Sequence, residues 1–179
     1  MPPFSHLAVA LALLSACSPM LEVHGGPLGA VDVSHARTAS IGEPNVGPPG
    51  YASGSRAEEV ARRAGVFAAT ILSAKGYSVQ PDGGELLVRI GAGRRQSTVP
   101  LLLPVPLPSA LQAGQIEATE RQDVAEGALV LDVFDRATGA FIWHGAARVV
   151  IDPSAIDDAL LQRATSAILA KFPPRKVTP

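Results

Sequence analysis

Apolar residues recur along this chain with a period of two in some stretches and near 3.6 in others, which separates strands from helices. The stretch "ELLVRIG" sets Leu86, Val88 and Ile90 on one side and Glu85, Leu87 and Arg89 on the other, predicting a half-buried strand. In "GALVLDVFDRATGAFIWHGAARVVID", Leu129, Leu131 and Val133 share one face, and Phe141, Trp143, Val149 and Ile151 share a face of the following run. "DRATG" supplies a turn with Gly139 suited to positive φ, so the two runs predict a hairpin. A one-residue slip would turn Trp143 outward, and a bulge at Gly139 would bring both apolar faces to one side. A weaker alternation in "AVDVSHARTASIG" predicts a further strand over residues 31–41.

Helical spacing appears twice. Ser55 with Glu58 three residues later has the form of a capping box, and Val60, Ala64, Phe67, Ala68, Ile71 and Leu72 then form one apolar face, ended by Gly76. A second helix is expected from Pro153 or Ser154, with Ile156, Leu160, Ala164, Ala167, Ile168 and Lys171 at helical spacing, stopping at "FPP". Asp157 and Asp158 fall in its first turn, where the helix dipole favours negative charge. Between these elements, "EPNVGPPGYASG" reads as a loop and "QAGQIEATERQD" as weakly stranded or poorly ordered. "STVPLLLPVPLPSA" holds four prolines, which cannot donate to a central ladder, so it reads as a loop, a sheet edge or an extended left-handed segment. Two amphipathic helices and about four strands predict an α+β fold: a two-layer sandwich, its sheet mostly antiparallel, with both helices on one face.

Composition narrows the picture. Only eight of 179 residues are aromatic (one Trp, two Tyr, five Phe), so the core must be built mainly from aliphatic and small side chains. Fifteen basic and sixteen acidic residues nearly cancel, which argues against nucleic acid as a partner. The sole cysteine can form no internal disulfide, and no Cys/His cluster with zinc spacing is present.

That cysteine, Cys17, follows the short apolar run "LAVALALL" and the small pair Ser15 and Ala16. The run is too short for a membrane-spanning helix, which needs about 20 residues, and has the length of a secretory signal core. Leu14-Ser15-Ala16-Cys17 resembles the lipobox of bacterial lipoproteins. That resemblance implies a thioether-linked diacylglycerol on Cys17, cleavage just before it and acylation of the new amino group, which would anchor the protein firmly. Ser18, in place of an aspartate, leans toward the outer membrane. The segment before the run, "MPPFSH", lacks the usual lysine or arginine. The expected organisation is a signal peptide (1–16), the lipidated cysteine with a flexible tether "SPMLEVHGGPLG" (17–29), one domain (30–174) and a tail (175–179).

Residues 127–174 carry a further pattern: Gly127, Leu129, Val130 and Asp132 on a strand, Asp135 and Thr138 at a turn, Trp143 and Gly145 on the next strand, and "AKFPP" at a helix end. These resemble a family of bacterial lipoproteins known as domain of unknown function 4136. His144 stands where that family usually has arginine. "AKGYSVQPDGGELLVRI" is similar to its helix-to-strand passage, and "DVSHARTASI" to its opening strand, with Ala39 and Ser40 replacing an aromatic pair. The resemblance implies an exported α+β lipoprotein and brings no catalytic residues.

The remaining chemistry is sparse. His35 and His144 read as exposed strand histidines, Trp143 as core, and Asp132 as a cross-strand ion-pair partner for Arg148. No GxSxG elbow is present, and "GAGRRQ" begins like a dinucleotide fingerprint but lacks its third glycine. Leu101, Leu102, Leu103, Val105 and Leu107, set among prolines, form a candidate partner or membrane surface, or else cover a sheet edge. The expectation is a non-enzymatic envelope lipoprotein without cofactor, catalytic residues or metal, anchored by Cys17 and binding another envelope protein or a small ligand. The alternatives are a periplasmic hydrolase assembled from dispersed residues such as His35, Arg89, Asp132 and His144, and a structural spacer.

Overall fold

The computed structural model describes residues 21–28, 32–101, 120–151 and 156–176. Six strands form one sheet in the order β1-β6-β5-β4-β2-β3, and two helices lie on one of its faces. The strands are β1 (Leu21–Pro27), β2 (Thr38–Ile41), β3 (Ser78–Gln80), β4 (Leu86–Leu101), β5 (Glu120–Asp135) and β6 (Phe141–Ile151); the helices are α1 (Ser55–Ala74) and α2 (Asp158–Ala170). The α+β class and the one-sided helices match the sequence reading, but the sheet has six strands and is mixed. β1, β6, β5 and β4 pair antiparallel, whereas β4, β2 and β3 pair parallel.

The two extra strands have different origins. Leu21–Pro27, read as part of a tether, pairs residue for residue with β6, from Leu21 opposite Val149 to Pro27 opposite Trp143. Its glycines obscured the alternation, yet its apolar Leu21 and Val23 pack against the core. β3 is only three residues long, too short for a period to show. Passing from β3 to β4 requires the chain to cross β2, and Gly84 makes that possible: a Cβ there would lie 2.5 Å from the Ala39 carbonyl carbon. Arg136 clamps the crossing by donating to the Gly84 carbonyl (2.9 Å) and the Ser40 hydroxyl (2.7 Å).

Other boundaries also moved. Residues 33–35 form a 3-10 turn instead of a strand, capped by the Asp32 carboxylate, which accepts from the Ser34 amide. α1 is capped by Gly54 without a side-chain bond, so Ser55 is its first helical residue and not its cap. α2 starts at Asp158, and Asp157 is its N-cap, accepting from the Leu160 amide at 2.8 Å. β4 runs on through "GAGRRQSTVP" to Leu101, and Pro100 falls where β4 has passed the end of β2 and no longer needs to donate there. The hairpin irregularity lies near Ile142 instead of Gly139. Val133 opposes Trp143 while Phe134 opposes Phe141, so Phe141 turns outward to stack on Phe134 at 5.1 Å and Ile142 is buried. Gly139 does take positive φ, +71°.

On the helix side, Leu86, Val88, Ile90, Leu129, Leu131, Val133 and Trp143 meet Ala61, Ala64, Ala68 and Leu72 of α1 and Ile168 and Leu169 of α2. Small residues bring α1 close: a Cβ on Gly65 would stand 3.2 Å from the Ile41 side chain. Trp143 lies flat over Gly145 and Gly25, occupying the volume their side chains would need. It meets Phe172 edge-on at 5.2 Å. Its indole N–H has no acceptor among the described residues, a cost of about 1–3 kcal/mol. Burying 150–250 Å² of ring contributes roughly 4–6 kcal/mol, so packing wins.

The two helices point the same way, and that gives the sandwich two unlike ends. At their C-termini, Phe172 plugs the layers beside Trp143 and Tyr77, and the chain after α2 is tied down. The Arg175 amide donates to Lys75 O, the Lys176 amide to Ser34 O, the Lys75 ammonium to Phe172 O and the Tyr77 hydroxyl to Pro173 O. Arg175 and Lys176, read as tail, therefore belong to the domain. At the helix N-termini no comparable plug exists among the described residues.

Candidate functional site

At the helix N-termini the layers enclose an open cavity of about 330 Å³. Strand parity explains the space. The core-facing position after Ile90 on β4 is Ala92, in register with Leu129 on β5 and Ala147 on β6, and the next core-facing positions of β5 toward this end are Gly127 and Ala125. Ala57 of α1 and Ala164 of α2 face the same volume, so both layers present small side chains where the other end presents large ones. Leu21, Val60, Leu129, Val149 and Leu160 complete an apolar wall. The charged residues among the described lining are Arg56, in the first turn of α1, and Arg94, on the core-facing side of β4; none is acidic. Two helix N-termini add partial positive charge, although Asp157 and Asp158 complement that of α2 and Asp158 is bound by Arg63 at 2.6 Å.

The rim is set by the loop of residues 42–54, which follows β2 along the edge of β4. Asn45 bridges to Gly91 and Ala52 to Arg94. The two glycines of "GAG" leave room for this: a Cβ on Gly91 would lie 2.7 Å from Val46 O, and one on Gly93 2.7 Å from Tyr51 Cβ. "GAGRRQ" is thus a strand that another chain segment crosses, with no sign of a nucleotide loop. Tyr51 reaches to β5, where its hydroxyl donates to Glu126. Arg95 donates to the same carboxylate from Nε (3.1 Å) and Nη2 (2.9 Å) and stacks over the Tyr51 ring at 4.9 Å. Burial alone would raise the Glu126 pKa, but the bonds from Tyr51 and Arg95 outweigh it and hold the carboxyl below its ordinary value. Burial and then the bond to Glu126 raise the Tyr51 phenol. This latch fixes Ala52, Ser53 and Gly54 at the cavity mouth.

The sheet face away from the helices, which also carries Arg95 and Glu126, holds a second polar group. His144 Nδ1 lies 2.7 Å from Asp132 Oδ1, and Asn45 Nδ2 donates to Asp132 Oδ2 at 3.2 Å. His144 is therefore paired, and Asp132 partners His144 and Asn45 in place of Arg148, which lies opposite Ala128. Arg89 sits opposite Asp132 on β4, with its guanidinium over Phe134 at 5.6 Å. The fold thus gathers Arg89, Asp132 and His144, but His35 lies in the 3-10 turn, 3.4 Å from Asp32. A histidine held at Nδ1 by a carboxylate can take a proton at Nε2; no hydroxyl or thiol is bonded to His144 among the described residues. His24, on β1, is a further histidine of the domain and contacts Glu22 at 2.8 Å.

Cys17, Leu102, Leu103, Val105 and Leu107 lie outside the described residues, and Leu101 is described as the end of β4. Among the described residues no helix is long and apolar enough to cross a membrane, and no group of three metal-ligating side chains assembles. The cavity escaped the sequence reading because its walls come from six elements and the loop of residues 42–54, and many of the lining residues are alanines and glycines that look like filler. The available signal was alanine and glycine at core parity on three strands.

The fold and cavity define a class: a two-layer α+β domain with a mixed sheet, a one-sided helix pair and an apolar opening between the layers. Residues 58–174 match the family described as Domain of unknown function (DUF4136), and the chain belongs to it. The match begins at Glu58 inside α1, after the opening-strand stretch, and includes the rest of α1, the hairpin and "AKFPP". A search of the curated proteins finds no match. Among solved structures, a PelC L103M dodecamer from Paraburkholderia phytofirmans is similar, with 14% identity, a TM-score of 0.51, and coverage of 88% of this chain and 100% of that one. A PDZ domain protein from Parabacteroides distasonis has 9% identity and a TM-score of 0.55, over 88% of this chain and 37% of its own. At these identities the likeness concerns the fold.

Proposed function

We propose that this chain is a non-enzymatic envelope lipoprotein, anchored through Cys17 in the outer membrane and facing the periplasm, and that its domain binds a ligand or partner at the open end of the sandwich. The observation that carries the binding role is the cavity of about 330 Å³, within the range of small-molecule sites, whose wall is apolar and whose charged groups are two arginines. Its lining holds no cysteine, histidine or carboxylate among the described residues, so it is furnished for holding a molecule and poorly furnished for acid–base chemistry. Anchoring rests on the lipobox-like Leu14-Ser15-Ala16-Cys17. The β4–β5 arm leaves the body at this same end, and the apolar segment joining its strands, with Leu102, Leu103, Val105 and Leu107, is the candidate partner surface.

The test is site-specific photocrosslinking in intact cells. A photoreactive residue replacing Ser53 at the mouth should give adducts, and one replacing Thr70 on the exposed side of α1 should not. Cys17→Ala should move the protein from the membrane to the soluble fraction. Absence of adducts at Ser53 would end the binding reading, and continued membrane fractionation of Cys17→Ala would end the anchoring reading.

A further inference from the structure

Leu21 both opens β1 and lines the cavity, and it follows Cys17 by four residues. Four fully extended residues span at most about 14 Å. A lipid on Cys17 would therefore bring the open end of the sandwich, and not the end plugged by Phe172, to the bilayer surface. This orientation depends on β1 being a strand of the sheet; a flexible tether of residues 17–29 would have left it undetermined.

The cavity's size and lining specify what it would meet there. An apolar cavity of about 150 Å³ holds a six-carbon ring, so the present volume has room for roughly twelve carbons, most of one acyl chain. Small side chains at Ala92, Gly127 and Ala147, on three neighbouring strands, keep the floor open across the sheet. The charged lining is positive at two points, Arg56 and Arg94, and Arg94 has no ion-pair partner among the described residues. An arginine matches a phosphate oxygen pair geometrically as well as by charge. Resting on the anchored binding-domain reading, we propose that the open end takes up one acyl chain of an anionic phospholipid from the bilayer to which the protein is anchored. The lipid phosphate meets Arg94 at the mouth.

The probe is dodecyl phosphate, titrated calorimetrically into the full chain carrying Cys17→Ser, with dodecyl maltoside below its micelle concentration and butyl phosphate as single-feature comparators. Dodecyl phosphate should saturate at one per chain and bind at least tenfold more tightly than either comparator. Arg94→Gln should reduce it to the level of dodecyl maltoside without changing the latter. Ala57→Leu, which fills the cavity with a good helix former, should weaken both alkyl probes tenfold or more while leaving the urea midpoint within error of the parent. Equal binding of all three probes, or binding insensitive to both substitutions, would overturn the proposal. For the source of the ligand, native mass spectrometry of the lipidated chain released from membranes should show one anionic phospholipid, absent from the Ala57→Leu protein. A soluble anion in its place, or none, would overturn it. Protein adducts at Ser53 with no uptake of dodecyl phosphate would sink this inference alone; no adducts at all would sink it together with the binding role.

Discussion

The two ends of the sandwich are made by the same strands and the same two helices, yet one is plugged and the other is open. At the plugged end, Trp143, Phe172, Tyr77 and Leu72 are each no more than 2% exposed and fill the gap between the layers. At the open end the equivalent positions are Ala92, Ala147, Gly127 and Ala57, and a cavity of about 330 Å³ remains. Three of the chain's eight aromatic residues, its one tryptophan among them, fill the plugged end. The difference teaches that the space is a property of side-chain size at fixed backbone positions and not of a gap between helices and sheet. Stability should accordingly reside at the plugged end and binding at the open one.

The comparison breaks most visibly if the plug is removed. Phe172→Ala should lower stability by about 3–5 kcal/mol in urea denaturation, the cost of deleting a fully buried aromatic. A loss under 1 kcal/mol would mean that the plug is not what holds the layers together. Next is Gly145→Ala, where the new methyl would stand 2.3 Å from the Trp143 ring and 2.4 Å from Ile168. Displacing two buried side chains should cost about 1–3 kcal/mol, although glycine-to-alanine changes in a strand are otherwise favourable.

The latch at the rim gives a smaller, pH-dependent effect. Because Glu126 titrates lower in the folded chain than its ordinary value of 4.5, its bonds stabilise the fold above that pH and lose that contribution as pH falls through the lowered folded value. Glu126→Gln should cost about 1 kcal/mol at pH 7. Its deficit relative to the parent should shrink as urea midpoints are followed from about pH 5 down to about pH 3. A deficit constant over that range would remove the carboxylate from the argument. The smallest effect is expected at the cavity floor: Ala147→Val adds two methyl groups to open space, so the protein should keep its stability or gain about 1 kcal/mol. A loss of 2 kcal/mol or more, in the range of core overpacking, would show that the open end is packed after all.

Particular residues show what was legible in advance. Helical spacing located the face of α1 through Ala64, Ala68 and Leu72, and alternation located the core side of β4 and β5, because both periods are fixed by backbone geometry alone. Proline and glycine misled: Gly25, Gly26 and Pro27 made β1 look like a tether, although its backbone groups pair with β6 and Gly25 admits the Trp143 ring. The outward turn of Phe141 was missed because a bulge one residue along reverses the parity of everything before it. The sequence reads His144 as an exposed strand residue and Asp132 as a partner of Arg148; the bond between the two, twelve residues apart, needed the hairpin register that sets them opposite.

The sequence by itself determined the class of fold, most of its core residues and the family, since these depend on local periodicity and on motifs contiguous in the chain. Only the tertiary structure decided that β1 joins the sheet, that both helices point the same way, and that alanines and glycines from three strands, two helices and a loop line one space. The physical reason is that a cavity is an absence shared among segments: no single stretch encodes it, and its volume exists only once strand register and helix direction bring the small residues to face one another.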